Sequence, residues 1–302
     1  MEKQLIVIEG PTASGKTSLA VELAKHFKTV VLSSDSRQFY KEMSIGTAKP
    51  SIEEMDGIKH YFIDSHSLQE PITAGKYEKQ ALEILEEEFK IHNKIILVGG
   101  SGMFTNALCN GLDNIPVFPE IQLELRNELE EFGSEKLLEE LQASDFEYFE
   151  NVDKSNNMRI LRALEVIRGT GSTFTSLRKN SSTKRPFEVK RFVINHDRTV
   201  LYDRINLRVD LMLKNGLLEE VKQLEKFRNL APLQTVGYSE VFDYFDGNWS
   251  LEVCIDKIKQ HTRNYAKRQL TWFKRNPDSN WIDYSNNTEM KNSILKLLEY
   301  QA

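Results

Sequence analysis

The chain has 302 residues, 40% of them apolar and 28% charged, which suits a folded globular protein with a core domain and an accessory one and excludes a disordered chain. No run approaches the roughly 20 apolar residues of a membrane-spanning helix, and the apolar stretch near the start, about five residues, is too short for a signal-peptide core. The net charge of −5 does not exclude a nucleic-acid partner: residues 120–150 carry eleven acids against two bases, but 159–191 carry nine bases against two acids and 257–275 seven bases and no acid.

In chain order, LIVIE (5–9) reads as a short buried strand ending at a glycine loop, followed by a helical pattern over 16–27. TVVLSSD (29–35) is a second strand candidate and YFID (61–64) a third. A periodic helix spans about 74–91, with Tyr77, Ala81, Leu82, Leu85 and Phe89 on one face. KIILVGG (94–100) is another buried-type strand closed by glycines. Strands alternating with helices predict a parallel sheet covered on both faces. NIPVFP (114–119) is a breaker-rich link, and the pattern from there to about 175 is helical. Residues 169–186 are polar and read as a mobile loop. FEVKRFVIN (187–195) reads as a strand returning to the first sheet, 199–275 as mostly helical, and 290–300 as a terminal helix. No internal repeat is present. Cys109 and Cys254 have no metal-ligand spacing and are expected to be plain thiols in a reducing cytoplasm. The predicted organisation is an α/β P-loop core, 1–114 with 187–302, interrupted by a helical insertion at 115–186.

Gly10-Pro11-Thr12-Ala13-Ser14-Gly15-Lys16-Thr17 matches G-x-x-x-x-G-K-[ST] between a strand and a helix, the context such a motif requires. The glycines let backbone N–H groups curl round phosphate oxygens. The helix N-terminus adds its dipole, Lys16 a point charge, and Thr17 a hydroxyl for Mg²⁺. The loop therefore predicts a phosphate-bearing ligand without saying which. A nucleotide hydrolase usually also ends an apolar strand in an acid that organises Mg²⁺ and water. Here residues 95–98 run into Gly99-Gly100-Ser101-Gly102, and the acids near a strand end are Asp35 and Asp64.

GPTASGKT (10–17), DSRQFYKEMSIGTAKP (35–50), LVGGSGMF (97–104), RILRALEVIRGTG (159–171), LYDRINLRVDLMLKNGLLEEV (201–221), TVGYSE (235–240) and TRNYAKRQLTWFKR (262–275) resemble, in order, the motif blocks of the bacterial tRNA dimethylallyltransferases. Seven blocks in order, covering the chain to about residue 283, make the resemblance specific. It implies a cytoplasmic enzyme, expected to act as a monomer without a membrane, that moves a dimethylallyl group from dimethylallyl diphosphate to N6 of the adenine next to the anticodon of tRNA. It implies that residues 12–17 cradle the diphosphate with Mg²⁺, that Arg208 of the Arg204-x-x-x-Arg208 pair clamps it, and that Asp35 is the general base. Ser101 stands where a threonine is more usual and keeps a hydroxyl near the reacting groups. Lys49 adds charge to the diphosphate or lies at the surface.

The same resemblance places Asp35, Ser36, Arg37 and Gln38, and Arg159, Ile160, Leu161, Arg162 and Ala163, near the flipped base and its neighbours. Gln122 stands where the family usually has an arginine that contacts tRNA, in a link one residue short. Lys259, Arg263 and Lys267 recur at i, i+4, i+8 as a basic stripe beside Tyr265 and Trp272, suited to an RNA backbone or simply to solvent. No cysteine/histidine pair with zinc spacing follows the last block. Three other readings stay open at this point: a P-loop kinase or NTPase, a prenyltransferase acting on free adenine nucleotides, and a non-catalytic RNA-binding protein.

Overall fold

The apolar run of β1 (Gln4–Glu9) is buried along its whole length and lies inside a six-stranded, all-parallel sheet ordered β3-β2-β4-β1-β5-β6. The computed structural model describes residues 3–178 and 183–300. After β1 come α1 (Lys16–Phe27), β2 (Val31–Ser33), α2 (Ile52–Met55), β3 (His60–Tyr61), α3 (Ala74–Glu88), β4 (Lys94–Gly99) and α4 (Gly102–Asn110). Then follow α5 (Pro119–Phe132), α6 (Glu135–Ser144), α7 (Phe146–Asn151), α8 (Asn157–Thr170) and α9 (Phe174–Leu177). The remainder is β5 (Glu188–Asn195), α10 (Arg198–Lys214), α11 (Leu217–Gln223), α12 (Tyr238–Phe245), α13 (Leu251–Phe273), β6 (Asn280–Asp283) and α14 (Asn287–Tyr300). The chain divides into two units, Met1–Cys109 with Arg185–Ala302, and Asn110–Lys184.

In the first unit the period-2 alternation of β1 sorts its side chains to two cores. Leu5 and Val7 pack with Tyr77, Ala81 and Leu85 of α3 and Phe104 and Leu108 of α4. Ile6 and Ile8 pack with Leu19, Leu23 and Ala24 of α1 and Met290 and Ile294 of α14. This doubly covered sheet is the predicted fold class. β1 pairs Glu9 with Gly99 of β4 and Val193 of β5, so β1 and β4 end at one level and β5 runs two residues further, to Asn195. Ligand sites in open parallel sheets form at that carboxyl edge.

Several predicted bounds shift for visible reasons. The strand expected at 61–64 is only His60–Tyr61, because Phe62 and Asp64 have φ of 63° and 52° and cannot extend it. Within the segment predicted as a mobile loop, α8 continues to Thr170 and Phe174 anchors α9 in a core; residues 179–182 lie outside the described residues. β6 was not anticipated, and α14 starts three residues before the predicted helix.

The second unit has its own core, in which Leu125, Leu137, Leu141, Ile160, Ala163 and Leu164 interlock. Its buried polar centre is Glu165, whose carboxylate accepts from Phe118 N–H (2.8 Å) and Gln122 Nε2 (2.9 Å) and pairs with Arg162 (2.7 Å).

Back in the first unit, a further cluster joins Tyr40, Met43 and Leu68 to Val209, Leu217, Val221, Tyr238 and Ile258 of α10–α13. Here the Glu220 carboxylate accepts from the backbone N–H groups of Ser44 (2.9 Å), Ile45 (2.8 Å) and Gly46 (3.0 Å) and from the Tyr238 hydroxyl (2.6 Å). A side chain at residue 46 would meet the Tyr238 ring at 2.5 Å, which fixes glycine there. Glu220→Ala strands three amides and a phenol at once, and should cost about 2–3 kcal/mol. Glu220→Gln should cost less, since an acceptor oxygen remains; urea denaturation of both variants compares them.

Candidate active site at the phosphate loop

Helix α1 begins at Gly15, which takes φ +85°, a left-handed conformation that suits glycine. Two residues earlier Ala13 is also left-handed, at φ 61°. The loop closes on itself through Ser14 N–H to Pro11 O (3.2 Å) and Lys16 Nζ to Pro11 O (3.1 Å). Residues 12–17 all border a cavity of about 760 Å³, and Ser14 is fully buried. Burial pulls the Lys16 ammonium down to about 8; the Asp35 carboxylate works against that shift and the Arg208 charge adds to it.

Two arginines, one turn apart on α10, reach the loop. Arg208 donates to Thr12 Oγ1 (3.3 Å) and Arg204 to Ala13 O (2.8 Å). Burial lowers the Arg208 pKa, with Asp35 and Glu54 opposing and Arg204 reinforcing. From α13, the buried Gln269 side chain accepts from Thr12 N–H (2.9 Å) and donates to Gly100 O (2.8 Å), tying the loop to the turn after β4. On the other flank His196 Nε2 lies 3.0 Å from Ser14 O, and its ring stacks on Tyr284 at 4.1 Å. Since a carbonyl only accepts, Nε2 carries the proton. Burial, together with the Arg204 and Lys16 charges, holds the His196 pKa below its ordinary value against the Ser14 hydrogen bond.

Asp35 follows β2 and borders the same cavity, as do Ser36, Arg37, Gln38 and Ser101. Its Oδ1 accepts from Arg37 N–H (3.1 Å), so the aspartate caps its own turn while facing the cavity. Gln38 is mostly buried and donates to Thr47 O and Ala48 O, holding the segment after Asp35 against the turn over residues 45–48. Tyr265, also at the cavity, has its hydroxyl pushed up to about 12 by burial and by the Asp35 charge.

Other sequence candidates take structural positions. The Lys49 side chain is buried, pairs with Asp64 and donates to Tyr40 O (2.7 Å), so Asp64 is not a free acid near the loop. Ile160, Leu161 and Ala163 are buried in the core of the helical unit, so their side chains have no surface to offer a base; of that stretch Arg159 is exposed and Arg162 pairs with Glu165. Gln122 is likewise tied to Glu165. In the basic stripe Lys259 pairs with Asp210 (2.6 Å) and Arg263 donates to Asn206 (2.7 Å), which leaves Lys267 exposed. Sequence reasoning missed Gln269, His196 and Tyr284. The readable signal for Gln269 was its place on the buried face of α13 with Ala266 and Phe273.

A cavity bordered by a phosphate loop, the arginines Arg37, Arg204 and Arg208 and the carboxylates Asp35 and Glu54 can hold a di- or polyphosphate and accept a proton beside it. A family model described as IPP transferase matches residues 38–276. The chain is 44% identical over 296 residues to tRNA dimethylallyltransferase 1 of Phocaeicola vulgatus, covering 97% of this chain and 98% of that one. Among solved structures it is similar to the full-length tRNA isopentenylpyrophosphate transferase of Bacillus halodurans, at 36% identity and TM-score 0.72 over 99% of this chain and 98% of that one. It is also similar to a eukaryotic dimethylallyltransferase solved acting on tRNA, at 26% identity and TM-score 0.77 over 93% of this chain and 74% of that one. With the family model spanning most of the sequence and the relatives matched nearly end to end, the chain belongs to the IPP transferase family.

Proposed function

We propose that this protein transfers the dimethylallyl group of dimethylallyl diphosphate to N6 of the adenine adjacent to the anticodon in tRNA and releases diphosphate. The observation that carries this reading is that Lys16, Arg208 and Asp35 border one cavity, a cation-lined cradle with the Asp35 carboxylate beside it and Glu54 also at its wall. β4 ends in Gly99, and the turn that follows presents Ser101, not the acid of a nucleotide hydrolase. The names of the relatives point the same way.

An adenine exocyclic amine is a poor nucleophile, because its lone pair is delocalised into the ring. Asp35 accepts a hydrogen bond from N6–H, holds the nitrogen against the prenyl C1, and takes the proton as the C–N bond forms and the C1–O bond breaks. The electron pair of that bond leaves on the diphosphate. Loop amides, Lys16 and Arg208 are placed before the reaction to stabilise the charge, at little reorganisation cost. Ser101 offers a hydroxyl beside the reacting groups. Ser36, Arg37 and Gln38 adjoin the base once it is splayed from its loop. Arg159, Arg162, Arg263 and Lys267 supply positive charge to the RNA backbone. Gln122, bonded to Glu165, acts through the helical unit it stiffens and not through a phosphate contact.

The Thr17 hydroxyl opens into the same cavity as Asp35, and among the described residues no cluster of three His, Cys, Asp or Glu side chains could cage a metal. That donor set fits Mg²⁺, which keeps several waters and takes ligands from substrate phosphates. Thr17 would hold it, and it would neutralise charge on the leaving diphosphate. Among the described residues no helix is long and apolar enough to cross a membrane. Action as a cytoplasmic monomer is part of the proposal.

A transfer assay with labelled dimethylallyl diphosphate, Mg²⁺ and unmodified tRNA tests the reading; label in free AMP, or phosphate released from ATP instead, would overturn it. Asp35→Ala should leave tRNA affinity nearly intact and lower kcat roughly a hundred- to ten-thousandfold, read by single-turnover kinetics; unchanged turnover would remove the general-base role. Lys16→Ala should weaken capture of the prenyl donor. A lysine is charged below its pKa, so the donor KM of the native protein should rise as pH climbs through about 8. Steady-state kinetics from about pH 7 to 9.5 check this, and Lys16→Arg, charged throughout, should flatten that limb.

A further inference from the structure

β5 and β6 end side by side, with Asn195 in register with Asp283, and the residues just beyond the two strand ends converge on the phosphate loop. Tyr284 N–H donates to Asn195 O (2.8 Å), and Asn195 Nδ2 donates to Asp283 Oδ1 (2.8 Å), which fixes the Tyr284 ring over His196 with an interplanar angle of 23°. The Tyr284 hydroxyl is 2.9 Å from Arg204 Nη1, and the guanidinium also lies 4.9 Å from the ring centroid. Both partners of Tyr284 then grip consecutive carbonyls of the loop, Arg204 that of Ala13 (2.8 Å) and His196 that of Ser14 (3.0 Å).

In a trans peptide the carbonyl and the next N–H point in opposite directions. Holding the Ser14 carbonyl on the His196 side therefore turns the Gly15 N–H the other way, and holding the Ala13 carbonyl fixes the plane before it. Ala13 sits in the left-handed region, which an alanine occupies only when its surroundings over-determine it. We infer that His196, Tyr284 and Arg204 are positioning residues for the diphosphate: they form a clamp that sets the peptide planes of the phosphate loop and so aims its amides at the leaving group. The inference rests on the reading of the loop as a diphosphate cradle. It gives Arg204 a different task from Arg208, although the two share one motif and one helix face.

The test is calorimetric titration of the full chain with inorganic diphosphate and with dimethylallyl diphosphate. His196→Phe keeps a flat ring under Tyr284 and loses the donor; it should bind both ligands about five- to tenfold more weakly. Its tRNA affinity and melting temperature should stay as in the native chain. His196→Gln restores an N–H donor and should recover most of the loss. Tyr284→Phe deletes one oxygen from a side chain that is 38% exposed, so it leaves the core intact, and it should weaken diphosphate binding about threefold or more. If His196→Phe lowers the melting temperature, Tyr284→Phe decides the matter alone. Native-like affinity in both Phe variants, or equal weakening in His196→Phe and His196→Gln, would overturn the clamp. A native chain that binds neither ligand would instead overturn the cradle reading, and the inference with it.

Discussion

Positive charge is held at this site with little negative charge to answer it. Lys16 rests on the Pro11 carbonyl and Arg208 on the Thr12 hydroxyl, so neither cation leans on a carboxylate. Burial disfavours the charged form of both and pulls their pKa values down. Asp35 relieves part of that penalty for each. On the proposed reading, a polyphosphate entering the cavity would relieve the rest and complete an electrostatic arrangement that folding leaves unfinished.

The backbone makes this arrangement possible. Three neighbouring parallel strands bring Gly10, Gly100 and the residues after Asn195 to the same edge, though they are far apart in sequence. Helices α10 and α13 then cross beneath that edge, packing Leu201 and Ile205 against Ala266, and deliver Arg204, Arg208 and Gln269. Glu220 and Gln38 brace the segment after Asp35 from opposite sides. The loop that holds phosphate and the turn that carries the carboxylate are thus fixed by different helices of one unit.

The sequence exposes the parts of this design that depend on local geometry. The phosphate loop is legible because its glycines and lysine must recur at fixed spacing, and β1, β4 and α3 because burial imposes periods of two and 3.6. β6 is not, since only Ile282 of its four residues is buried and a lone apolar residue makes no pattern. Nor could the stripe Lys259, Arg263, Lys267 be judged from spacing, because Asp210 and Asn206, which engage its first two members, come from another helix. Ile160, Leu161 and Ala163 show the converse: a motif match assigns the segment to a substrate, while the period of the helix sends these three side chains to a core. His196 and Tyr284 meet only through the register of two strand ends, which no local reading can supply.

Helix α13 engages the rest of its unit along its length, and two of its contacts are widely separated. Near its start Cys254 and Ile258 sit in the cluster around Tyr238, and near its end Gln269 holds Thr12 and Gly100. An α-helix turns about 100° per residue, so one residue inserted or removed between those points would swing the amide of Gln269 more than a quarter of the way round the axis. The stretch 258–269 therefore behaves as a ruler whose length is set to the single residue. Variation in chain length among proteins built this way has to fall in connecting segments, and a frame of backbone counted in whole residues, more than any one side chain, is what descent must keep.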